Sequence, residues 1–97
     1  LDSIVFFYES TFALRVKGDS MIGAGIMPND LVLVHKQSIA QTGETIVALI
    51  GEEATVKHLK KKGKDYFLEP ANPKYTPIRV NEEVSIIGKV ISVIRRF

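Results

Sequence analysis

The chain has 97 residues, 45% apolar and 25% charged, a composition that fits a globular chain and excludes a disordered or fibrous one. The absence of cysteine removes disulfides, thiolate nucleophiles and thiolate metal sites, and no apolar run approaches the ~18 residues a membrane span needs. A net charge of +2 gives no electrostatic drive toward nucleic acid or an anionic membrane. One domain over residues 1–97 is expected, large enough to bury roughly 60 to 70% of the unfolded surface without staples. No metal or cofactor is expected, and a reducing compartment is compatible.

β-Branched and aromatic runs of strand length alternate with turn residues, and no dozen residues carry a 3.6-residue apolar stripe, so the expected class is mostly β. In chain order the strands are predicted at residues 12–17, 31–36, 45–50, 54–61, 65–69, 78–80 and 84–94. Pro28-Asn29-Asp30 signals a turn, Gly43 and Gly51 are suited to positive φ, and Lys62-Gly63-Lys64 reads as a hairpin loop. Pro70, Pro73 and Pro77 make the next connection irregular. The run 84–94 is apolar on both faces, which predicts a central strand or an interface.

The first segment with chemical promise is Leu14-Arg15-Val16-Lys17-Gly18-Asp19-Ser20-Met21, a strand that stops at a glycine and then presents a serine. Bends after strands display nucleophiles, because the side chain projects while backbone N–H groups converge on a developing oxyanion. An isolated Gly-Asp-Ser is nevertheless first of all a turn.

The second is Glu52-Glu53-Ala54-Thr55-Val56-Lys57-His58-Leu59-Lys60, where period-two alternation puts Thr55, Lys57 and Leu59 on one face. A lysine beside apolar neighbours ordinarily snorkels to solvent. To act as a general base it must be neutral, so its pKa must fall from about 10.4 through burial. Thr55, on the same face, could orient the neutral amine.

Other catalytic patterns fail on this sequence. A nucleophile elbow would need glycine at the position of Ile22, and a Ser-x-x-Lys motif would need lysine at the position of Gly23. His35 and His58 could enter a Ser-His-Asp triad, but His35 closes an apolar run and His58 points away from the Lys57 face; both read as structural.

Gly18-Asp19-Ser20-Met21, then Gly25-Ile26-Met27-Pro28-Asn29-Asp30-Leu31, then Ala54-Thr55-Val56-Lys57 resemble the LexA and UmuD family of self-cleaving proteins, with serine and lysine 37 positions apart. The likeness runs on through Leu68-Glu69-Pro70-Ala71-Asn72-Pro73 and Ile87-Gly88-Lys89-Val90-Ile91. The resemblance implies a β-rich protease domain of short, highly bent strands in which Ser20 attacks a peptide bond of the same polypeptide and Lys57 accepts its proton. It also implies that the N–H groups of Asp19 and Ser20 form the oxyanion hole and that Glu53 and Thr55 support the lysine. It further implies a bacterial, cytoplasmic repressor that dimerises through its carboxy-terminal strand region, is stimulated by the RecA filament and meets DNA only through an amino-terminal domain.

That domain and the cleavage segment are expected to lie outside residues 1–97. Ala24-Gly25 is the bond type this class cuts, but so close to Ser20 it reads as coincidence. Residues 1–9 are left as a strand, a remnant of the cleavage region or a disordered arm. Three further readings stand beside the first: an idle dimerisation module, a UmuD-like polymerase accessory protein, and a nucleic-acid-binding β domain built on Lys57, Lys60, Lys61, Lys62 and Lys64. The last is weakened because no aromatics interrupt its lysine run.

Overall fold

The computed structural model describes residues 10–95, so the expectation for residues 1–9 lies outside the described residues. Among the described residues seven strands form one sheet: β1 (Thr11–Arg15), β2 (Leu31–Lys36), β3 (Thr45–Ile50), β4 (Glu53–Lys62), β5 (Asp65–Glu69), β6 (Ile78–Arg79) and β7 (Val84–Ile94). Their order is β1-β2-β7-β3-β4-β5-β6, and all pairings are antiparallel. The mostly β class is thus observed. The two-sided apolar run 84–94 occupies the centre of the sheet, between β2 and β3.

Both faces bury side chains. Val32, Val34, Val47 and Val56 pack with Val16, Met21 and Ile26 on one face, and Ile46, Ala48, Leu59 and Leu68 pack on the other. Each large aliphatic side chain removed from water in this way contributes roughly 1.5 to 3 kcal/mol. Alternation explains the division: Ile46 and Ala48 face one way and Val47 the other.

Four predicted strands have the observed bounds; the others shift at their ends. The run 12–17 stops at Arg15 because the partner strand gives way to a turn. Val16 instead exchanges hydrogen bonds with that turn, its N–H reaching the Asp30 carbonyl at 2.8 Å while its carbonyl accepts from the Asn29 N–H at 2.9 Å. In Met27-Pro28-Asn29-Asp30 the Asp30 N–H donates to the Met27 carbonyl at 3.0 Å, with Asn29 at φ 74°. That is a type II turn, proline and asparagine each standing where its backbone preference is used. β4 outruns its predicted span by one residue at each end because it is paired successively, by β3 over 53–58 and by β5 over 58–62.

The end of β7 is tied to this turn. Asp30, 3% exposed, accepts the Met27 N–H at 2.7 Å and two bonds from the Arg95 guanidinium at 2.8 and 2.6 Å. Arg95, and then the Met27 N–H, hold the Asp30 carboxyl down at about 2. Its folded pKa lies below its ordinary 3.8, so the stability it contributes is complete above about 3.8 and is lost as pH falls toward 2. Urea unfolding of Asp30→Asn across pH 2 to 5 should therefore give a shallower acid limb than the parent. Equal slopes would assign that limb to other carboxylates.

Candidate active site

β1 delivers the chain to Gly18, whose φ of 76° turns it back and presents Asp19 and Ser20. Met21, 2% exposed, plugs the core beneath. A 3-10 turn, Ile22–Ala24, follows and is capped by Gly25 at φ 81°, so Ala24-Gly25 is folded into a hydrogen-bonded turn.

From across the sheet β4 brings Lys57. Its Nζ lies 3.0 Å from Ser20 Oγ and 2.5 Å from Thr55 Oγ1. Lys57 is 7% exposed, paired across the strands with Ile46 and two residues from Leu59. Burial pushes its pKa below the ordinary 10.5, and the Glu53 carboxylate opposes that fall. Protonated, the amine donates to both hydroxyls. Neutral, it can keep donating to Thr55 while its lone pair accepts the Ser20 proton.

A third segment braces the Ser20 turn. The Ala71 N–H donates to the Ser20 carbonyl at 2.8 Å, the Gly23 N–H to the Ala71 carbonyl at 2.7 Å, and Asn72 Nδ2 to the Asp19 carbonyl at 2.8 Å. A Cβ on Gly23 would stand 2.5 Å from the Ala71 oxygen, so only glycine lets the two segments approach this closely. The Asp19 carboxylate accepts from Tyr75 Oη at 2.5 Å and from Lys74 Nζ at 3.4 Å. Tyr75 first, then Lys74, keep its pKa below the usual carboxylate value despite an opposing burial cost.

Residue chemistry alone singled out none of Ala71, Asn72, Lys74 or Tyr75. The resemblance ran through Ala71 and Asn72 without giving them a role, and the proline-rich spacing between β5 and β6 marked that connection only as irregular.

Segments 14–21 and 52–57, with Tyr75, Thr76 and Ile78, enclose a cleft of about 550 Å³. Two backbone edges open onto it. β1 pairs only with β2, and residues 53–57 of β4 pair only with β3, among the described residues.

His35 is exposed and meets Gln37 at 3.0 Å, whereas His58 meets Thr45 Oγ1 at 3.0 Å; neither hydrogen-bonds Ser20. Strand pairing brings aromatic rings to the lysine run from β5: Lys61 lies 5.5 Å from the Tyr66 ring centre and Lys62 lies 5.6 Å from that of Phe67. Among the described residues no cluster of three or more His, Cys, Asp or Glu could hold a metal ion, and no helix is long and apolar enough to cross a membrane.

The profile of a family described as Peptidase S24-like matches residues 2–91. A LexA repressor of Caldicellulosiruptor saccharolyticus is 51% identical over 91% of this chain and 43% of its own length. A LexA repressor of Acetivibrio thermocellus is 52% identical over 91% of this chain and 41% of its own, and LexA repressor 1 of Nocardia farcinica is 51% identical over 90% and 40%. The chain thus spans less than half the length of these curated relatives.

Proposed function

Because the chain belongs to the Peptidase S24-like family, we propose that it is the serine endopeptidase domain of a LexA-like repressor of the SOS response to DNA damage, cutting its own polypeptide through Ser20 and Lys57. The observation that carries this reading is a buried amine 3.0 Å from a serine hydroxyl, at the floor of an open cleft.

Each step has a group on hand. The neutral Lys57 amine takes the hydroxyl proton as Ser20 Oγ bonds to the scissile carbonyl carbon. The N–H groups of Asp19 and Ser20 receive the oxyanion. Collapse of the tetrahedral adduct breaks the C–N bond, the Lys57 ammonium returns its proton to the departing amine, and water then hydrolyses the Ser20 ester. Thr55 holds the amine in line, and the Glu53 carboxylate favours its charged form. The open edges of β1 and β4 suit an extended cleavage segment that adds as a strand.

The remaining roles belong to the longer protein. An amino-terminal domain would contact DNA, and the RecA filament would stimulate cleavage. A homodimer would form through the exposed apolar end of β7, where Ile91, Val93 and Ile94 are 53, 39 and 40% exposed. A bacterial cytoplasm suits this set of partners.

Supplying a peptide with an Ala-Gly cleavage segment in trans at pH 9 tests the reading. The parent chain should cut it and Ser20→Ala should not. If a folded parent leaves the peptide intact while a chain carrying its own segment still cleaves, the domain acts only in cis; failure of both would leave a dimerisation module.

A further inference from the structure

Between β5 and β6 the chain does more than connect strands. Asn72 is 7% exposed although its side chain is an amide, and both ends of that amide are used: Oδ1 accepts the Lys74 N–H at 3.0 Å and Nδ2 donates to the Asp19 carbonyl at 2.8 Å. Satisfied on both sides, the amide can sit in only one orientation.

The carbonyl it holds belongs to the same peptide unit as the N–H of Ser20. A peptide unit is planar and no cis bond occurs among the described residues, so carbonyl and N–H point in opposite directions. Drawing the Asp19 carbonyl toward Asn72 therefore sends the Ser20 N–H the other way. The next unit is fixed from the same segment, because the Ser20 carbonyl accepts the Ala71 N–H at 2.8 Å. Both peptide planes flanking the serine are thus held by residues 71 and 72, and no described residue accepts a hydrogen bond from the Ser20 N–H.

We infer that Asn72 is a positioning residue for peptide-bond cleavage: its carboxamide, by gripping the Asp19 carbonyl, sets the plane of the Asp19-Ser20 peptide and aims the Ser20 N–H at the oxygen of the scissile carbonyl. This rests on the proposed serine peptidase reading and extends it to a residue that touches neither substrate nor Lys57. Donors aimed in advance at a developing oxyanion are worth more than donors that must first turn toward it. Loss of the grip should therefore slow the bond-forming step and leave the proton acceptor unchanged.

The variant that isolates this effect is Asn72→Asp, which keeps the size of the side chain and an acceptor for the Lys74 N–H but replaces the donor facing Asp19 with an oxygen. The probe is diisopropyl fluorophosphate, whose phosphoryl oxygen needs the same N–H donors; Ser20 Oγ displaces fluoride, and intact mass reports the adduct. Labelling rates are read from pH 6 to 10, well below each variant's unfolding temperature. For Asn72→Asp and Asn72→Ala we expect rates at saturating probe to fall roughly 10- to 100-fold with the midpoint of the pH profile unmoved.

Labelling of both variants at the parent rate would overturn the inference. So would a moved midpoint, which would mean that Asn72 acts through Lys57. If the parent itself does not label at Ser20 while remaining folded, the peptidase reading fails and the inference falls with it, a result distinct from a parent that labels and variants that match it.

Discussion

Replacing Lys57 by methionine should lower peptide cleavage by roughly 10³-fold or more, within the range expected for a general base that works as a unit with its nucleophile. The parent rate should climb with pH as the buried amine loses its proton and level off before the ordinary lysine pKa. The residual rate of Lys57→Met should show no such rise. Lysine is cationic when protonated, and desolvation pushes its folded pKa below 10.5 against the pull of Glu53. Between the folded and unfolded values the folded state binds fewer protons, so parent stability must increase with pH across that window. Below it the parent carries the full cost of a buried ammonium. Unfolding titrations should accordingly find Lys57→Met more stable than the parent near neutral pH, with the gap closing toward pH 10. If Lys57→Met is instead destabilised by a constant amount at every pH, Lys57 is a paired structural cation and the proposed base is wrong.

The largest loss of stability from the smallest change is expected at Gly88. Strand β7 passes β2 so closely there that a Cβ would lie 2.3 Å from Val34 Cγ1 and 2.7 Å from the His35 carbonyl oxygen. Val34 is fully buried, and Gly88 is paired on its other side with Val47, so neither neighbouring strand is free to withdraw. Overpacking of this kind costs about 1 to 3 kcal/mol, and the backbone contact puts Gly88→Ala at the upper end. For a chain of this size that lowers the melting temperature by roughly 10 to 20 °C. Adding Val34→Ala removes the side-chain clash but leaves the carbonyl, so the double variant should recover only part of what additivity would lose. A Gly88→Ala chain that melts with the parent would mean that the strands separate more easily than their packing implies.

The strands were legible where composition and punctuation agree. β2, β3, β5 and β7 are runs rich in β-branched and aromatic residues bounded by Pro, Gly, Asn or charged turn residues, and each has the predicted bounds. Period-two reading also grouped Thr55, Lys57 and Leu59 correctly. It could not show that Lys57 is buried, because burial depends on what lies beside and over β4, including a strand register opposite Ile46 that no local pattern encodes. The resemblance, not the spacing, paired Ser20 with Lys57. The brace by Ala71 and Asn72 went unread for a similar reason: it acts through backbone carbonyls 51 or more positions away, and an asparagine between two prolines looks locally like any turn residue. The bond from Arg95 to Asp30 spans 65 positions and has no local sign at all. The aromatic partners of Lys61 and Lys62 were likewise hidden, since they come from the opposite strand of a hairpin.

The position of β7 bears on how this chain is made. Among the described residues no strand pairing joins β2 to β3, so the β1-β2 pair and strands β3 to β6 become one hydrogen-bonded sheet only through β7, which follows them all in the chain. A nascent chain that has not yet released residues 84–94 from the ribosome holds two pieces with bare edges facing each other. Sheet closure must therefore wait until residues 84–94 have emerged. In that interval the unfinished edges are open to chaperones, to neighbouring chains and to proteolysis, and a product ending before Val84 would have no route to the closed sheet.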